Sequence, residues 1–165
     1  MKRFSLLLFL SLICILPLWS QGTSDFAERF MEMNQETESQ LHCITVGPNM
    51  MEKIMKLPDG QNETSNKRIR KILSNCKSIR IIKTQAQSAQ YREKAIDLLE
   101  KHKDRYAMYK EENLKEGNED CLWIRKRGKN IVEVVVLSSQ GSPQFSLLDI
   151  TGNLTTAFIG RLLGN

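Results

Sequence analysis

His42 and Cys43 stand side by side in the run LHCITV, a general base next to a thiol, and these are residue types that nucleophilic catalysis uses. The run reads as a strand, however, and neighbours on a strand point to opposite faces, so adjacency keeps the two side chains apart. The second histidine, His102, falls on a helical stripe far along the chain. Beyond Cys14, the cysteines are Cys43, Cys76 and Cys121, and together with the histidines they form neither a Cys-x-x-Cys nor a His-x-x-x-His spacing, which removes the common zinc patterns. There is no phosphate-cradling glycine loop and no Gly-x-Ser-x-Gly elbow. No catalytic, cofactor or metal residue is assigned on these grounds, and the reading leans away from an enzyme.

Asp149 interrupts an apolar strand pattern on the side of Phe145 and Leu147; a carboxylate there needs hydrogen-bond partners, and the end of a sheet is the expected place to find them. Two basic clusters, Lys67-Arg68-Ile69-Arg70-Lys71 and Arg125-Lys126-Arg127, have the charge to grip phosphate, but both read more simply as solvated faces. The aromatics Tyr106, Tyr109 and Trp123 lie close to Arg125 and Arg127 in the later strands. Those five residues form the expected contact surface, on the outer face of the sheet. Asn62-Glu63-Thr64 and Asn153-Leu154-Thr155 are formal glycosylation acceptors that arise often by chance.

These residues are positioned by a pattern that changes along the chain. Phe26, Phe30 and Met33 recur at helical spacing over about Asp25 to Asn34, with Ser24 placed as the cap. Leu41 to Val46 reads as a strand stopped by Gly47 and Pro48. The apolar run Met50, Met51, Ile54, Met55 and Leu57 predicts a helix ended by Pro58, and such methionines fill a core more often than they line a carrier cavity for a small hydrophobe. After the loop PDGQNETSN, Ile69, Ile72 and Leu73 mark a short helix, and Ser78 to Lys83 a strand. The clearest helix opens at Ser88 and carries Tyr91, Ala95, Leu98, Leu99 and His102 on one stripe.

From Tyr106 the period changes to two, in the runs YAMYKE, CLWIRK, IVEVVVLS and QFSLLDIT. Consecutive strands joined by short turns make an antiparallel meander. In the closing stretch LLDITGNLTTAFIGRLL, Ile150 and Thr151 are expected to end the last strand, Gly152 and Asn153 to make the turn, and Thr155 to cap a final helix. Leu154 and Ile159 are spaced as a hydrophobic staple. The expectation is an α+β fold: one mainly antiparallel sheet with its helices in one layer on one face.

The N-terminus MKRFSLLLFLSLICILPLWSQGTS has a basic head, an apolar centre and a small-residue tail, the order of a secretory signal peptide. Cleavage is expected after Ser20 or as late as Gly22, leaving a single domain over 21–165. The apolar stretch Phe4–Trp19 contains Pro17 and is shorter than the roughly 20 residues of a membrane span. The formal charge of +5 loses Lys2 and Arg3 and no acid with the signal, falling to +3. An exported chain of that charge is a poor nucleic-acid binder. Cys43, Cys76 and Cys121 remain in a compartment that permits disulfides, and their spacing does not fix a pairing.

The C-terminal third, EVVVLSSQGSPQFSLLDITGNLTTAFIGRLL, resembles the family described as domain of unknown function 4252, small exported proteins found mainly in Bacteroidetes. The likeness rests on Val134 to Leu137, Phe145 to Thr151 and Gly152 to Leu163, and extends more loosely over Leu41 to Asp104. Ala157 and Phe158 occupy the helix turn where the family usually carries an acid. The resemblance implies a periplasmic or envelope protein of a Gram-negative bacterium with a part in envelope sensing or maintenance, and it carries no reaction and no catalytic residue. The function expected is therefore non-catalytic binding of an envelope protein or surface component. An enzyme of unfamiliar type, or a carrier of a small hydrophobic ligand, is the alternative.

Overall fold

The computed structural model describes residues 24–35, 40–56, 67, 70–109, 121–138 and 142–162. The signal segment, Asn62, Leu57 with Pro58, Arg68 with Ile69, and the continuation of the first meander strand past Tyr109 lie outside the described residues. The described elements are α1 (Phe26–Met33), β1 (His42–Val46), α2 (Pro48–Met55), β2 (Cys76–Thr84), α3 (Ser88–Lys101), β3 (Tyr106–Met108), β4 (Cys121–Arg127), β5 (Asn130–Leu137), β6 (Phe145–Leu154) and α4 (Thr156–Leu162). Residues 70–73 are also helical.

The six strands form one sheet in the order β1-β2-β6-β5-β4-β3, every pair antiparallel. The expected meander is present, and β2 inserts beside β6 so that the last long strand lies in the middle. Its register sets two lines of side chains. Trp123, Val135, Asp149 and Arg80 lie across from one another on one face, and Ile124, Val134, Ile150 and Ile79 on the other.

Both β5 and β6 are apolar on alternate positions of each face, so the sheet needs two covers. On the first face α1 and α3 seat Phe26, Phe30, Tyr91, Ala95 and Leu99 against Ile82, Trp123, Val135, Leu137, Phe145 and Leu147. On the second, Phe158 and Ile159 of α4, with Ile72, pack on Leu122, Ile124, Val134 and Ile150. The single helical layer expected from the sequence thus becomes two, because α4 returns to the opposite face from α1 and α3.

The Thr-Gly-Asn step has a different cause from the one expected. β6 runs on through it to Leu154, and Gly152 lacks the left-handed backbone seen at Gly128. Glycine is needed there because a Cβ would stand 2.1 Å from the Asn75 carbonyl oxygen, with Cys76 paired opposite Gly152 at a register shift. The Asn153 amide donates to that same Asn75 oxygen at 2.9 Å, so a close crossing and not a turn defines the step. Thr155 does cap α4: its Oγ1 accepts from the Phe158 amide at 3.1 Å.

Candidate functional site

Two places gather polar chemistry: a buried carboxylate cluster beneath α1 and an open groove along β3. In the cluster, Glu133 of β5 and Asp149 of β6 are diagonal neighbours on the first face, since Glu133 pairs with Thr151 and Val135 with Asp149. Glu133 is 0% and Asp149 1% exposed. Burial at this depth demands partners, and two of them come from α1. The first amides of a helix have no acceptor within it, and here the Phe26 amide donates to Glu133 Oε1 at 2.6 Å and the Ala27 amide to Asp149 Oδ2 at 2.8 Å. Asp25 caps the same end by accepting from the Glu28 amide at 2.9 Å, the position expected for Ser24. Ser24 instead accepts from Arg29 Nε at 3.1 Å.

The cations stand around this arrangement. Arg125 Nε pairs with Glu133 Oε2, Tyr106 donates its hydroxyl to the same carboxylate at 3.1 Å, and Arg80 Nη1 meets Asp25 Oδ1 at 2.7 Å. Burial, then the charge of Glu133, holds the Asp149 carboxyl well above the usual aspartate range, against the pull of the Ala27 amide and of Arg80. Asp149 Oδ1 is buried without a partner among the described residues, which suits an oxygen that carries a proton. The same two causes hold the Tyr106 hydroxyl above its ordinary value. Burial works against the Arg125 charge, yet Glu133 outweighs it and keeps the guanidinium above its usual value. Both carboxylates are closed beneath a helix, where a substrate does not reach them; their chemistry is to receive α1.

The groove, of about 540 Å³, is lined by Lys103, Arg105, Met108, Tyr109, Ile124 and Lys126, together with Asp104. The register places Ala107 opposite Ile124 and Met108 opposite Trp123, so Ala107 and Ile124 lie on the groove side of β3 and β4, while Met108, on the Trp123 side, borders the groove from the edge strand. Met108 is 48% exposed. Arg105 Nη2 is buried with no acceptor among the described residues.

That division corrects the expected contact surface. Trp123 and Tyr106 are buried in the first core, because their positions alternate with Ala107 and Ile124 on the groove side; Tyr106 reaches the groove's lining without being exposed. Arg125 is half-buried on Glu133. Tyr109 lines the groove, and Arg127 is exposed at the end of β4. His42 and Cys43 are both exposed on alternate sides of β1. Asp149 is bonded as expected, but from the middle of the sheet rather than its end.

Cys43 and Cys76 are free thiols. Cys76 donates to the Ile72 carbonyl at 3.2 Å, and burial pushes it up to about 11; Arg92 Nη2 lies 3.3 Å from Cys121 Sγ. Met51 is buried and Met50 is 52% exposed, so the methionine run divides between the two sides of α2. Among the described residues no group of His, Cys, Asp or Glu is arranged to hold a metal, and no helix is long and apolar enough to cross a membrane.

Sequence reasoning missed Glu133. The signal was present: Glu133 breaks the run IVEVVV as Asp149 breaks FSLLDI, and two acids at buried positions of neighbouring strands imply a shared receptor. Residues 27–162 match the model of a family described as a domain of unknown function, DUF4252. No curated protein and no solved structure matches the chain.

Proposed function

The chain belongs to the DUF4252 family, and from that premise we propose that it is an exported cell-envelope protein whose α+β domain, residues 21–165, binds a partner protein without catalysing a reaction. The observation that carries this reading is the β3 groove. It combines Lys103, Arg105 and Lys126, beside Asp104, with the apolar surface of Met108, Tyr109 and Ile124. Such a lining fits a partner that presents carboxylates beside apolar side chains. The N-terminal basic-apolar-small pattern supports removal of residues 1–20 and delivery to the periplasm or envelope of a Gram-negative bacterium, with a part in envelope sensing or maintenance.

A photoreactive residue placed at the exposed Ala107 of the groove in living cells tests the proposal, with the exposed Gln90 of α3 as the control position. The expected result is one recurring envelope protein cross-linked from position 107 and not from 90, and lost in the Lys103→Glu/Lys126→Glu variant. Equal background at both positions, together with turnover of a metabolite by the purified protein, would replace the binding reading with an enzymatic one.

A further inference from the structure

β1 is one border of the sheet, and among the described residues its outer edge has none of the devices that usually blunt such an edge. It pairs with β2 over five unbroken positions, His42 to Val46, with no bulge. It contains no Lys, Arg, Asp, Glu or Pro. His42, Cys43, Ile44 and Thr45 are all exposed, and Ile44 is 58% exposed. The opposite border is managed: β3 has three residues, Lys103, Arg105 and Lys126 line the groove beside it, and its neighbour β4 carries a register shift.

We propose that the outer edge of β1 is a self-association site, where a second copy of this chain adds its own β1 antiparallel and centred on Ile44, making one continuous sheet across the pair. Three features select a second copy as the occupant. First, this register sets Ile44 against Ile44 of the other copy, Cys43 against Thr45 and His42 against Val46, so no like charges of Lys, Arg, Asp or Glu oppose each other within the paired strands. Second, Val136, Leu148, Ile81 and Ile44 lie in one line across β5, β6, β2 and β1 on the second face. That apolar line runs out at the exposed Ile44 and would continue into the same line of the copy. Third, a two-fold pairing uses both β1 edges and leaves only the short, charged β3 borders, so assembly closes at the dimer.

Sedimentation equilibrium of the purified chain measures the mass. Twice the monomer mass is expected, with Ile44→Lys weakening association at least tenfold while the circular dichroism spectrum stays that of the native fold. The register is read by Ile44→Cys on a Cys43→Ser background. Paired Cα atoms lie within disulfide reach, so added oxidised glutathione should oxidise the two thiols to a covalent dimer and be reduced in turn. Unaltered Cys43, offset from its copy by about 8 Å in this register, should not cross-link. A monomer over the whole concentration range, a dimer indifferent to Ile44→Lys, or a monomer whose β1 is taken up by a different protein would each overturn the proposal.

Discussion

Glu133 and Asp149 are acids placed where strands of this sheet otherwise carry Val and Leu, and the difference in their partners sets their protonation. Glu133 has Arg125, Tyr106 and the Phe26 amide; Asp149 has the Ala27 amide alone on one oxygen and nothing on the other among the described residues. With its carboxyl held above the usual range, Asp149 makes the folded state bind more protons than the unfolded chain. Stability must then fall as pH rises from about 4, the range of an unfolded aspartate, through the raised value in the fold. Urea midpoints measured from pH 4 to 9 should show that decline in the native chain, with a slope of up to about 1.4 kcal/mol per pH unit, and a markedly flatter profile in Asp149→Asn. Glu133→Gln should cost about 3 kcal/mol at neutral pH, because it leaves Arg125 facing a neutral group in a buried site. Asp149 was legible as an anomaly from strand alternation. Its partners were not, since they come from residues more than a hundred positions away.

At the scale of elements, α1 is held at both ends by groups outside it. Carboxyl groups receive its N-terminal amides, and at the C-terminal end Asn34 donates to the Phe30 carbonyl at 2.7 Å while accepting from Lys94 of α3 at 3.2 Å; Glu133 at one end and Lys94 at the other match the sign of the helix dipole. The spacing of Phe26 and Phe30 announced the helix, whereas its anchoring depends on strand register, which no local pattern encodes. The last strand shows the same limit. Thr155 was readable as a cap from its place before an apolar helical run, and Thr155→Ala should lower stability by about 1 kcal/mol. Gly152 was readable as necessary, but its reason, the approach of Asn75, is a tertiary contact. Gly152→Ala should therefore be the more damaging change, by about 2–3 kcal/mol in chemical denaturation, since backbone stands in the way of the new methyl group.

Across the whole molecule, the α+β class, the antiparallel sheet and the meander were legible because period-two runs joined by short turns have few alternatives. The second helical layer was not, because a strand apolar on both faces, such as NIVEVVVL, does not say which cover each face receives. Nor was the contact surface, since the assignment of Tyr106 and Trp123 to the inside depends on which side of β4 meets α1. The resulting account is that charge within the sheet is turned inward to seat α1, which leaves the β3 groove as the surface for a partner. The most direct test is amide hydrogen exchange at Phe26 and Ala27, the first positions of α1, which the helix itself cannot protect. The account predicts slow exchange at both in the native chain, with protection lost at Phe26 in Glu133→Ala and at Ala27 in Asp149→Ala. Exchange at free-peptide rates in the folded native protein would contradict it.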